Sequence, residues 1–214
     1  MRGARRKASV FMSEGNGRLP NSAHTSRPWR IHEIVSDFRL EDVWALPVRG
    51  ERSDFPAMVR AFAAGDPSRS SWPTRVLWAT RWKIGELLGW DEAQTGLGER
   101  VPTLRKRLPR DLLDAPGPEF DLLPFTSLYL IEDEFAAEIA NGTMHGVMHL
   151  SCVPDGAGGY RGQMAVLVKP NGLFGNLYMA GIKPFRHLIV YPAMMRQIER
   201  EWPQSDRILN PEPR

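Results

Sequence analysis

The sequence predicts an α+β protein: an antiparallel sheet packed beneath a long, Pro-kinked C-terminal helix, with additional helices near the N-terminus. Three observations carry this. The first half holds apolar stripes at helical spacing, as in "SSWPTRVLWATRWKIGELLGW". Two alternating runs, "TMHGVMHLSCV" and "YRGQMAVLVKP", flank the turn-forming "PDGAGG" and read as a hairpin. In the last part Tyr178, Ile182, Phe185, Ile189, Pro192, Met195, Ile198 and Trp202 step along one face by three or four residues.

Taken in order, residues 1–27 form a basic, Gly-, Ser- and Asn-rich stretch without apolar periodicity, which reads as a disordered leader. A single domain then spans 28–203, followed by a short tail over 204–214. "PWRIHEIVSDF" alternates around Ile31 and suggests a first strand, with His32 on the face opposite the apolar one. In "DFRLEDVWALPV" Asp37 offers a helix cap before a short apolar turn that Pro47 ends. "DFPAMVRAFAAGD" predicts a compact helix with Asp54 at its cap, Pro56 in its first turn and Gly65 at its close. After the longer helix at 71–90, residues 91–124 are punctuated by Pro and Gly and leave room for a short helix near Leu104 to Leu113. "PFTSLYLIED" reads as a strand; "EFAAEIANG" reads equally as a short helix or a second extended piece. Pro184 and Pro192 each remove a helix donor, so the C-terminal helix is broken or kinked there.

Charge separates the candidate functions. The pI is about 9.2, but six of the 28 basic residues and only one of the 25 acids lie in residues 1–28. The remainder is slightly acidic, which argues against a domain-wide nucleic-acid footprint. Cys152 is the only cysteine, so no intrachain disulfide forms, and the apolar "SVFM" is far too short for a signal-peptide core. No apolar stretch has the length of a spanning helix. These features place the protein in the cytoplasm.

His145 and His149 invite a metal reading. One helical turn apart they would share an ion, but the segment has Gly146 where a zinc metalloprotease motif needs Glu, and it is poor in helix formers. In a strand the two rings share a face about 13 Å apart, too far for one metal. No metal and no cofactor is therefore expected. Alternation sets Met144, Gly146, Met148, Leu150 and Cys152 on one face, with Met164, Val166 and Val168 on the partner strand. That face should pack inward, leaving both histidines outward or against a partner. Phosphate loops and a nucleophile elbow are missing, and Cys152 reads as a buried inert thiol. The basic residues of "LRKRLPRDLL" read as a solvated helix face. The methionine-rich interior reads either as ordinary core or as the lining of an apolar cavity.

The stretches "PWRIHEIVSDFRLEDVWALPV" and "HGVMHLSCVPDGAGGYRGQMAVLVKPNGLFGNLYMAGIKPFRHLIVYP" resemble a bacterial family of uncharacterised proteins. The run Lys183, Pro184, Phe185, Arg186, His187, Leu188, Ile189 carries much of that likeness. The order of helices, strands and C-terminal helix resembles the helix-grip proteins, the START-like and polyketide-cyclase superfamily. This resemblance implies a curved antiparallel sheet gripping the helix, with a cavity between them for a lipid, sterol or polyketide. The ligand-binding residues expected for such a cavity are Tyr129, Met144, Met148, Gln163, Met164, Tyr178, Phe185 and Arg186. Three readings result. The first is a carrier of a small apolar or amphipathic ligand, and the second an enzyme using a His or Tyr as acid and base in the same cavity. The third is an interaction module or homodimer using the outer sheet face.

Overall fold

The computed structural model describes residues 17–64, 101–120, 123–140, 144–172 and 195. Their elements are β1 (Arg18–Leu19), α1 (Ser22–Thr25), α2 (Ile31–Ile34), β2 (Arg39–Gly50), a 3-10 turn (Arg52–Asp54) and α3 (Phe55–Ala63). A second 3-10 turn (Leu104–Arg107), α4 (Arg110–Leu113), β3 (Thr126–Leu130), β4 (Glu134–Ala140), β5 (Met144–Pro154) and β6 (Tyr160–Pro170) follow. The six strands form one antiparallel sheet in the order β1-β2-β6-β5-β4-β3. Strands β3 to β6 are a meander, and β2 returns from the start of the chain to pair with β6. The α+β class of the sequence reading holds; the long C-terminal helix and the helix at 71–90 lie outside the described residues.

Several local expectations are corrected. Ile31–Ile34 is a helical turn, not a strand, and it buries Ile31 and Ile34 against the sheet. Residues 39–50 are the longest strand rather than a capped helical turn. "RLEDVWALPV" alternates poorly because both faces of β2 are buried and its register shifts between Ala45 and Arg49. Pro47 sits exposed within that shift, where no ladder donor is needed. Asp37 caps nothing; it takes a bidentate pair from Arg107 at 2.6 and 3.1 Å and a bond from Lys169 at 2.8 Å. Part of the stretch read as a leader, residues 17–27, carries structure. Arg18–Leu19 pairs with β2, and α1 carries His24, which is fully buried.

Other elements follow from their residues as read. Pro56 starts α3, and Phe55, Met58, Val59 and Ala63 are its buried stripe. Pro109 divides the 104–113 stretch into its 3-10 turn and α4, since proline cannot donate to the turn before it. "EFAAEIA" resolves as strand β4, with all but Ile139 buried.

The sheet is a middle layer. One face packs on Trp29, Ile31, Ile34, Val35, Leu104, Leu108 and Leu112 through Val43, Leu128, Tyr129, Ala136, Val147, Val153, Ala165 and Leu167. The other packs on Phe55, Met58 and Val59 through Trp44, Leu46, Phe135, Ala137, Met148, Leu150, Cys152 and Met164. Half-buried Met195 also lies against this second cluster, as do Phe120 and Phe125. The alternation of β5 and β6 is therefore as the sequence reads it, but the histidine face is covered as well. Among the described residues no helix is long and apolar enough to cross a membrane.

Candidate functional site

The two faces differ in chemistry. On the first, cross-strand register aligns Tyr129, Ala136, His149, Ala165 and Val43 in one row. A register shift between Ser127 and Tyr129 turns Tyr129 onto this face beside its neighbour Leu128. The small side chains of Ala136 and Ala165 leave space above His149, and the His24 ring from α1 fills it edge-on at 5.0 Å between centroids.

Three imidazoles then connect in series. His32 Nε2 lies 3.2 Å from His24 Nδ1, and His24 Nε2 lies 3.1 Å from His149 Nδ1. His149 Nε2 reaches Glu134 Oε2 at 3.1 Å. With neutral rings, one tautomer satisfies all three contacts: each Nε2–H donates, and the Nδ1 of His24 and of His149 accepts. The carboxylate at the end of the chain also accepts from the Tyr129 hydroxyl at 3.2 Å and from the backbone N–H of Arg30 at 3.0 Å.

Burial sets the protonation along this chain. Desolvation, with His149 and His32 adjacent, lowers the pKa of His24 to about 3. Burial lowers that of His32 as well, though this ring is half-exposed. Burial alone would raise the Glu134 carboxyl; the bond and charge of His149, then the donors from Arg30 and Tyr129, hold it below its usual range. Burial and the Glu134 charge push the Tyr129 phenol upward, so it stays a donor. Chemically the arrangement holds an acceptor-rich carboxylate in the interior and connects it, ring by ring, to a half-exposed imidazole.

A second buried pair lies along the same strands. His145 Nε2 is 2.8 Å from Glu138 Oε2, which also accepts the Leu104 N–H at 3.0 Å, while the Thr103 hydroxyl donates to Glu138 Oε1. The histidines thus share a face, as a strand requires, but they are buried rather than outward, each beside its own glutamate. Burial is possible because each imidazole meets a partner. Over these histidines the sheet is covered by α1, α2 and residues 104–112 of the same chain. Among the described residues no three His, Cys, Asp or Glu side chains group to hold a metal ion.

The other face carries the methionines. Met148 and Met164 are buried there among Trp44, Phe135 and Leu150, and Met144 stands half-buried at the start of β5. A small pocket of about 20 Å³ opens at the end of this layer, lined by Val48, Phe55, Met58 and Cys152 and by the charged residues Arg49, Glu51, Asp54 and Arg161. Burial first, with Asp133 nearby, raises the Cys152 thiol to about 11, consistent with the inert thiol expected. The described members of the eight candidate ligand residues are therefore not gathered on one face. Met148 and Met164 share the apolar face. Tyr129 and Gln163 belong to the histidine face, where Tyr129 donates to Glu134 and Gln163 Nε2 donates to the Ala23 carbonyl at 3.4 Å. Tyr178, Phe185 and Arg186 lie outside the described residues.

Sequence reasoning missed His24, His32, Glu134 and Glu138 as site residues. A signal existed for the glutamates. Glu134 and Glu138 are four apart in an otherwise apolar strand, and His145 and His149 are four apart in the next, so an antiparallel pairing can satisfy both pairs at once. The two N-terminal histidines gave none, because nothing local indicates that their turns fold back over β5.

The fold and site define an α+β protein whose antiparallel sheet separates a polar, histidine-bearing layer from an apolar, methionine-bearing one. The chain belongs to the DUF2867 family, described as "Protein of unknown function", whose family model matches residues 34–193. The matched span holds Tyr129, Glu134, Glu138, His145 and His149, while His24 and His32 precede it. No curated protein and no solved structure matches the chain.

Proposed function

We propose that the protein holds a small hydrophobic or amphipathic molecule against the methionine-bearing face of its sheet, in a helix-grip-like arrangement. The observation that carries this reading is the segregation of the two faces. The hydrogen-bonding side chains that link the sheet to its cover, Glu134, Glu138, His145, His149 and Gln163, are on one side. The other offers Met58, Met148 and Met164 among aromatic rings, with Met195 and a pocket at its margin. Thioether side chains adapt to irregular apolar shapes, which suits a binding wall. The pairing of the first long strand with the last one supports the helix-grip resemblance. Native mass spectrometry of the protein from its own host, followed by denaturing extraction, tests the reading. A stoichiometric apolar molecule is the expected result; an apo mass with no thermal shift across a lipid and polyketide panel would overturn it.

The series His32, His24, His149, Glu134 favours a second reading, acid–base chemistry, but relocates it to the opposite face. A proton arriving at His32 Nδ1 would reach Glu134 by three transfers, each ring passing from its Nε2–H to its Nδ1–H tautomer. Histidine-selective ¹⁵N spectra test this: solvent-coupled tautomer exchange in all three rings supports a relay. Three static Nε2–H tautomers would leave the chain a structural clamp.

A further inference from the structure

Five hydrogen-bond donors collect at one corner of the histidine face without acceptors for them. The Trp29 indole N–H, the Ser151 hydroxyl and the Arg161 Nε–H are buried and have no hydrogen-bond partner among the described residues. Trp29 is 6% exposed and Ser151 is fully buried. Two further guanidiniums face the same corner. Arg49 stands directly across from Arg161 in the β2–β6 ladder, and Arg27 lies 5.8 Å above the Trp29 ring. Like charges directly opposite each other on paired strands destabilise the pair, yet no carboxylate among the described residues forms an ion pair with either.

These groups belong to one patch. Ser151 is paired with Gln163, two rungs from the Val153–Arg161 pair, so Ser151 and Arg161 are diagonal neighbours. Trp29 packs on His149, which lies two residues from Ser151 on the same face, with ring centroids 5.6 Å apart. Arg161 feels the like charges of Arg49 and Arg27 and, between them in strength, the opposing charge of Asp155. Asp155 lends opposing charge to Arg49 and Arg161 but forms an ion pair with neither, and Glu134 is occupied by other donors. Asp155 accepts from the backbone N–H groups of Ala157 and Gly159, and Glu134, across from Ser151, accepts from Arg30, Tyr129 and His149. An indole N–H and a guanidinium can only donate. A corner built of donors and positive charge is complementary to a group that only accepts.

We propose that Trp29, Ser151 and Arg161, with Arg27 and Arg49 at the rim, form an oxyanion-binding site for the carboxylate or phosphate group of a small molecule. Arg49 and Arg161 also line the small pocket beside Met58 and Cys152, so the site reaches the end of the sheet where the two faces meet; anion binding there does not depend on an apolar ligand. Arg161 Nε–H, the Ser151 hydroxyl and the Trp29 indole would each donate one bond to the anion, and Arg49 and Arg27 would supply charge and relief of their own repulsion.

Titration of the full chain at constant ionic strength with inorganic phosphate, acetate and neutral acetamide tests this by ¹H–¹⁵N spectra. The Trp29 indole resonance is assigned from Trp29→Phe. The expected result is saturable movement of the Trp29 indole and Arg161 Nε–H signals with phosphate or acetate and none with acetamide. The better of the two anions identifies the group. Arg161→Gln should weaken binding about tenfold or more, as loss of a charge-assisted bond implies, and Ser151→Ala should weaken it several-fold. Arg49→Gln should also raise Tm without anion, by up to about 3 °C, because a like-charge opposition is removed. No saturable movement with either anion overturns the proposal. So does movement confined to the arginines with the Trp29 indole unmoved, which is a diffuse surface charge, or binding unchanged in folded Arg161→Gln and Ser151→Ala.

Discussion

Glu134 is the residue on which most buried polar groups converge: the Arg30 N–H, the Tyr129 hydroxyl and His149 all end on its two oxygens. Removing it strands three donors in the interior. Glu134→Ala should therefore lower stability by about 3–5 kcal/mol, measured as a fall in urea midpoint at constant slope. Glu134→Gln keeps an acceptor and should lose less. His24 makes a separate prediction about pH. Its folded pKa of about 3 is below the 6.5 of the free side chain, so the unfolded chain binds more protons between those values. Its contribution is present in full above pH 6.5 and is lost as pH falls toward 3, reaching about 2 kcal/mol of destabilisation at pH 5. Glu134, also held low, adds to the same acid-side loss. His24→Gln should flatten the stability slope between pH 6.5 and 5 in denaturant titrations at each pH.

At the scale of elements, β1 and α1 are too short to be stable alone, and their place comes from what they cover. The pairing of Arg18–Leu19 with β2, His24 on His149 and the Ala23 carbonyl on Gln163 fasten them to the sheet. A chain beginning at Pro28 should melt at least about 5 °C below one beginning at Gly17, since it uncovers His149 and the first strand pair. Two glycines on the strands separate packing from flexibility. A Cβ on Gly162 would meet Leu46 Cδ1 at 3.0 Å and Cβ at 3.1 Å, whereas one on Gly146 would chiefly meet the mobile end of Met144 at 3.2 Å. Gly162→Ala should cost about 1–3 kcal/mol by overpacking, and Gly146→Ala should be nearly neutral, by thermal melting of both. Ion pairs tie other elements together, Arg30 to Asp111 between α2 and α4 and Arg107 to Asp37. Their side chains are a third or more exposed, so solvent screening leaves each pair a small share in stability.

Across the whole molecule, the sheet is ordered from its centre outward. β5 and β6, eleven residues each, pair with one another along their whole length and each has a second partner strand, while β1 and β3 are edges. Hydrogen exchange should be slowest in β5 and β6 and fastest in β1, a ranking that peptide-resolved mass spectrometry reads directly. The β2–β6 ladder joins residues 39–50 to residues 160–170, so closing the sheet needs a long loop and belongs to the slow, millisecond-to-second range of folding.

The sequence by itself determined the β5–β6 hairpin, the β3 strand, the α3 helix and the parity of each residue in the hairpin. Those features rest on local signals: alternation, turn residues, and Pro at a helix start. Only the tertiary structure decided that His145 and His149 are buried. Alternation assigns a side chain to a face, but whether that face meets water depends on what folds over it. The cover comes from residues 23–35 and 104–112, more than thirty residues away in the chain. The same limit explains β2, read as a helical turn because strands buried on both faces lose their alternation. It explains His24 too, which looked like part of a leader. Its partner His149 is 125 residues away, and a polar side chain becomes core only when a distant partner supplies the hydrogen bond that burial requires.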